Sequence, residues 1–183
     1  MTASEVTVLR GDVPVTVDDA RVLIRRLAEH AGGRRTGAET TDGGTGGDDR
    51  PRTWAVIAEL ASPPGQDENR RVVEHDLVGR LAVRLAVDKT LCVGDSRSVR
   101  ALHQGAIMEG SWGDEARLVE SVDDAARLVD ADPDWRPAAG DIVLLASATA
   151  DLDSVIAAWS ERCGWRVVDA RPEDTSGAGE GEP

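Results

Sequence analysis

Residues 74–106 read EHDLVGRLAVRLAVDKTLCVGDSRSVRALHQGA, and this stretch decides the fold. Its first part belongs to a helix predicted over Glu68–Leu85, in which Val72, Val73, Leu77, Leu81 and Leu85 supply an apolar stripe. Thr90–Val93 then reads as a strand and Ser98–Met108 as a second helix. Upstream, the run beginning at Thr53 (TWAVIAEL, to Leu60) is almost continuously apolar, as expected of a strand covered on both faces. A turn over Ser62–Gly65 separates it from the helix. Downstream, the text predicts a strand at Ala116–Val119, a helix at Val122–Val129 and a Pro-rich loop around Trp135 and Pro137. Strand Ile142–Ala146, helix Leu152–Cys163 and strand Trp165–Val168 follow. At the beginning, Val6–Arg10 (VTVLR) is β-branched and strand-like, and Val22, Leu23, Ile24 and Leu27 suit a helix over Ala20–Ala28 packed on a sheet. Thr16 reads as the N-cap of that helix, with Asp18 and Asp19 placed favourably in its first turn.

Strands and helices alternating at this spacing predict an α/β domain: a mainly parallel sheet of about six strands with helices on both faces, a Rossmann-like three-layer sandwich. The 183 residues fit one domain over 1–171 and a tail from 172 to 183. That acidic, glycine-rich tail is expected to be disordered, as is the glycine-, aspartate- and arginine-rich insert at about 32–52, which has no apolar periodicity. A phosphate cradle in the insert would need a fixed strand before it and a helix after it.

Composition narrows the function. Hydrophobic residues make up 40% of the chain, with no Tyr or Phe, so the core must be built from aliphatic residues and a few Trp. The net charge of -13 argues against nucleic acid or an anionic membrane as partner, since both need a basic face. There is no apolar run of membrane-spanning length and no signal-peptide pattern, so a cytoplasmic setting is expected. Cys92 and Cys163, isolated in apolar text, read as buried free thiols rather than a disulfide framework. Lys89 is the only lysine, and no phosphate-gripping Gly-Lys-Ser/Thr loop is present.

In parallel sheets, sites form at the carboxyl ends of the strands. Those ends carry the candidate nucleotide- or substrate-binding residues Asp12, Thr16, Glu59, Asp95, Ser96, Ser147 and Thr149. Each also has a structural reading. Asp95 or Ser96 could cap the helix they open instead of helping it hold an anion, and Glu59 could be a solvated loop carboxylate. A nucleophilic Ser147 would need a His base, yet His30, His75 and His103 all fall within helices, with His30 near a helix end. No metal-ligand spacing is evident, and Asp123 and Asp124 sit in a helix's first turn. Trp112 and Trp135 lie in loops, where tryptophan marks a partner surface or folds back on the domain edge.

The order of these segments resembles the C-terminal domain of the Mur ligases, ATP-dependent amide-forming enzymes of peptidoglycan synthesis. Residues 6–21, 52–60, 74–106 and 140–156 carry the resemblance, including a His-x-x-x-Gly helix at His75–Gly79. The departures are specific. Where the family's first loop reads D-A-Y-N-A-N-P and contacts nucleotide, this chain has Gly11–Val17, with only Asp12 able to stand in for the acid. Where the family has Lys-Gly-Ser-Arg, it has Ala146, Ser147, Ala148 and Thr149. The resemblance therefore implies a degenerate, stand-alone module with no catalytic residues and no cofactor in the isolated chain. ATP and magnesium are expected only if a protein partner, such as an ATP-binding ligase domain, completes the site. A working substrate-binding part of a split amide ligase, and a small-molecule enzyme using the strand-end crevice, are the other two readings.

Overall fold

The computed structural model describes residues 4–38, 50–111 and 114–170, and the backbone alone for 33–38. Strands β1 (Glu5–Arg10), β2 (Thr53–Ile57), β3 (Lys89–Val93), β4 (Ala116–Val119), β5 (Ile142–Ala146) and β6 (Arg166–Asp169) form one sheet in the order β4-β3-β2-β5-β1-β6. Every pairing is parallel. Between the strands run α1 (Val17–Ala38), α2 (Glu68–Arg84), α3 (Arg97–Glu109), α4 (Val122–Ala131) and α5 (Leu152–Cys163). The expected Rossmann-like three-layer sandwich is what forms.

The two faces of the sheet carry separate cores. Leu9, Ala55, Ile57, Cys92 and Leu144 pack under α1, α2 and α3. Their neighbours in the strands, Val8, Trp54, Val56, Leu91 and Val143, pack under α4 and α5. Alternation along each strand does this, because successive side chains leave opposite faces of the pleat. Trp54 sits at the centre of the second core, edge-on to both Trp135 and Trp159.

Glycine sets the spacing of α2 and α3. A Cβ on Gly79 would lie 1.9 Å from the Leu102 carbonyl oxygen, and one on Gly105 2.1 Å from that of Asp76. The two backbones approach so closely that no side chain fits between them. At the amino-terminal end of the central strands, the buried Asp141 carboxylate accepts from Arg52 N, Ala138 N and Trp54 Nε1 at 2.8–2.9 Å. That arrangement satisfies buried polar groups at the starts of β2 and β5.

Several expectations are corrected. The first helix does not end at Ala28 but runs on to Ala38, so residues 32–38 of the anticipated loop are helical, and His30 lies inside the helix with Nδ1 2.9 Å from Arg26 O. Residues 39–49 and the tail from 171 lie outside the described residues, as does Trp112. Strand β2 stops at Ile57, leaving Glu59 in a loop. Of the two readings of Trp135, folding back onto the domain is the one that holds: it is 2% exposed and packed into the core. Lys89 and Arg117 stack on its ring, which makes the loop around it structural. Cys92 is buried and its thiol is pushed well above the ordinary range, whereas Cys163 is only partly buried.

Candidate functional site

After β1 the chain crosses to α1 on one face, and after β5 it crosses to α5 on the other. β1 and β5 are neighbours in the sheet, so their carboxyl ends splay apart and leave a crevice at this switch point. Arg10, Val13, Ser147, Thr149 and Asp153 are among its lining residues. The crevice is small, about 40 Å³, which is room for little more than a water molecule.

Backbone hydrogen bonds close the loops around it. Val15 N donates to Ser147 O at 3.0 Å, Ala61 N to Val15 O at 2.8 Å, and Ala148 N to Glu59 O at 2.8 Å. The loops that follow β1, β2 and β5 are thereby tied to one another. These N–H groups, which a phosphate-binding loop would turn toward its ligand, are spent inside the protein.

The side chains follow the same pattern. Thr16 caps α1 in a reciprocal arrangement: its Oγ1 accepts from Asp19 N at 3.2 Å, while its N–H and hydroxyl donate to the Asp19 carboxylate at 3.0 and 2.6 Å. The Thr16 hydroxyl holds the Asp19 carboxyl below its usual range. Ser147 is 5% exposed, and its Oγ accepts from Thr149 N at 3.1 Å. Thr149 Oγ1 in turn donates to Asp151 at 2.9 Å. Asp12 is exposed and outside the crevice lining, and Glu59 is half-buried at the exit from β2.

Asp95 and Ser96 do not join this group. They follow β3, which is separated from β5 by β2. Ser96 caps α3 by accepting from Val99 N at 3.2 Å, and the Asp95 carbonyl accepts from Arg100 Nε at 3.0 Å.

Sequence reasoning missed Arg10. Its guanidinium is the cation among the crevice-lining residues, and it is paired with both Asp153 and Asp169. Its position at the end of β1 was legible, but its partners lie more than 140 residues away along the chain.

His75 offers no base to Ser147. The ring is fully buried, with Nδ1–H donating to Arg71 O at 2.8 Å and Nε2 accepting from Leu60 N at 3.1 Å. Those two bonds fix the neutral tautomer and bind α2 to the loop after β2. Burial holds its pKa below the ordinary value. Among the described residues, no three His, Cys, Asp or Glu side chains converge in a way that could hold a metal ion. No helix among them is long and apolar enough to cross a membrane.

The sheet order and the loops gathered over β1, β2 and β5 define a Rossmann-like α/β module. Comparison with known proteins supplies the particulars. Over 143 residues the chain is 41% identical to the UDP-N-acetylmuramoyl-tripeptide--D-alanyl-D-alanine ligase of Mycobacterium leprae, a match covering 78% of this chain and 25% of that enzyme. The ligase of the same name from Mycobacterium tuberculosis is 41% identical over 108 residues, covering 54% of this chain and 20% of the enzyme. The chain thus spans about a quarter or less of the length of the curated relatives it matches. No family model and no solved structure matches it.

Proposed function

We propose that this module acts without chemistry of its own, as a binding or accessory domain beside a protein partner, in the setting of cell-wall or amide-ligase chemistry. One observation carries the reading. The strand-end loops that would face a nucleotide are bonded to each other through Val15, Ala61, Ser147 and Ala148. The resemblance places a substrate-binding lysine where this chain has Ala146, and Arg10 is already neutralised by two carboxylates. The N–H groups of Val15, Ala61 and Ala148 and the Arg10 cation are thus already engaged, and a triphosphate would have to displace these partners to use them.

The reading assigns no cofactor to the isolated chain and places it in the cytoplasm, with neither nucleic acid nor a membrane as partner. Isothermal titration of the chain with ATP and magnesium is expected to give no binding heat. Saturable micromolar binding would overturn the proposal. It would favour instead the substrate-binding part of an ATP-dependent amide ligase whose ATP-binding domain is supplied by another chain. The 41% identity over most of this chain is the observation that favours this second reading.

A further inference from the structure

A second, larger cleft lies beside the strand-end crevice, on the other side of the Val15–Ala61 contact. It has a volume of about 490 Å³ and opens between the start of α1, the β2–α2 loop and the first turns of α2. That volume is within the range of small-molecule sites. Val17, Ala61, Pro63 and Pro64 form an apolar wall. Two guanidinium groups from different helices line the cleft, Arg21 from α1 and Arg70 from α2.

Each arginine has a carboxylate neighbour on its own helix: Arg21 Nη1 lies 2.8 Å from Asp18, and Arg70 Nε lies 3.2 Å from Glu74. A guanidinium carries five N–H donors, so both retain most of their fork for a further acceptor. Glu74 is held below the usual carboxylate range, first by the Gln66 amide and then by Arg70 and Arg21, and so stays an anion. Gln66 Nε2 donates to Glu74 at 2.8 Å, which fixes the orientation of the amide and leaves its Oε1 buried without a partner.

The cleft therefore combines two cations with two anions, Asp18 and Glu74, and an apolar wall. A dianion would meet the two carboxylates, and a simple cation would meet the two arginines. The complementary molecule carries one carboxylate, one O–H donor and an apolar body.

We propose that this cleft binds a small hydroxy-carboxylic acid. Its carboxylate engages Arg21 and Arg70, its hydroxyl donates to the Asp18 and Glu74 carboxylates, and its apolar body lies on Pro63 and Pro64. The proposal does not rest on the accessory reading above, since none of these residues lines the strand-end crevice.

The test is a nuclear magnetic resonance titration of the isotope-labelled full chain with mandelate. Saturable shifts are expected at the amides of residues 16–21 and 61–74. Arg21→Gln, with an otherwise unchanged spectrum, should weaken binding about tenfold, the loss expected for a charge-assisted hydrogen bond. Methyl mandelate, which lacks the carboxylate, and O-methylmandelate, which lacks the donor, should each bind more weakly than mandelate. Arg127→Gln, on α4 across the sheet, should bind as the parent chain does. Absence of saturable shifts would sink the proposal. So would shifts centred on Ser147 and Thr149, or full-strength binding by both Arg21→Gln and Arg70→Gln. None of these outcomes bears on the ATP titration, which reads the other site.

Discussion

His75 shows how a residue with catalytic chemistry becomes a bracket. Both ring nitrogens are committed to backbone groups, and the ring is buried. Its lowered pKa makes a sign-determined prediction. Below the ordinary histidine value of about 6.5, the unfolded chain takes up a proton that the native ring resists. The stability contributed by neutral His75 is therefore present above that pH and is lost as pH falls toward the depressed native value. The loss approaches about 1.4 kcal/mol per pH unit within that window. His103 acts in the same direction, also through burial. Glu74 and Asp19, whose pKa values are lowered, contribute only in the more acidic carboxylate range. Urea unfolding at pH 7.5 and pH 5.5 should show the parent chain weakening and His75→Gln weakening less. At pH 7.5 the variant itself should cost about 1–3 kcal/mol, the penalty for an unsatisfied buried group. An identical pH slope in the two proteins would contradict this role. The sequence showed that all three histidines lie in helices, but only the fold showed that the Leu60 N–H is the partner of His75, 15 residues away.

At the scale of elements, burial is what apolar spacing reports. β5 and α5 match their expected bounds because apolar text coincides with buried surface, along the whole of β5 and along the Leu152, Val155, Ile156 and Trp159 face of α5. α1 does not, since its last described core residue is Leu27 while its backbone stays helical to Ala38. Beyond Leu27 the text GGRRTGA (32–38) carries no apolar stripe to read. Helix packing supplies the sharper prediction. Gly79→Ala places a methyl group against the Leu102 carbonyl and should destabilise the protein by about 1–3 kcal/mol, as overpacking does. Gly32→Ala, whose Cβ meets no atom within 4 Å, should instead leave stability unchanged or raise it by about 0.5–1 kcal/mol. Chemical denaturation of both variants checks the pair. Equal effects would mean that the α2–α3 contact yields freely. The sequence placed Gly79 in the His-x-x-x-Gly helix, and the structure gives the physical reason a glycine is needed there.

Over the whole molecule, the net charge of -13 is a uniform repulsion that folding has to contain. Salt shortens the range of that repulsion to within about 10 Å at 0.1 M. Added sodium chloride should therefore raise the thermal midpoint, by about 2–4 °C for each kcal/mol gained in a chain of this size. A falling midpoint would show that ion pairs such as Arg84–Glu109 and Arg117–Asp132 outweigh the repulsion. At this scale the division of information is clear. Alternating apolar runs and helical stripes determined the α/β class, the parallel sheet and its element order, because each records which faces are buried. The resemblance placed the strand-end loops and showed Ala146 in place of lysine. Only the tertiary structure decided what those loops do. It joined Val15 to Ser147 and Ala61, set Arg10 between Asp153 and Asp169, left Asp95 and Ser96 beyond β2, and brought Arg21 and Arg70 to one cleft. Each of these depends on partners far apart in the chain, and a local pattern carries no record of which distant group satisfies a hydrogen bond or a charge.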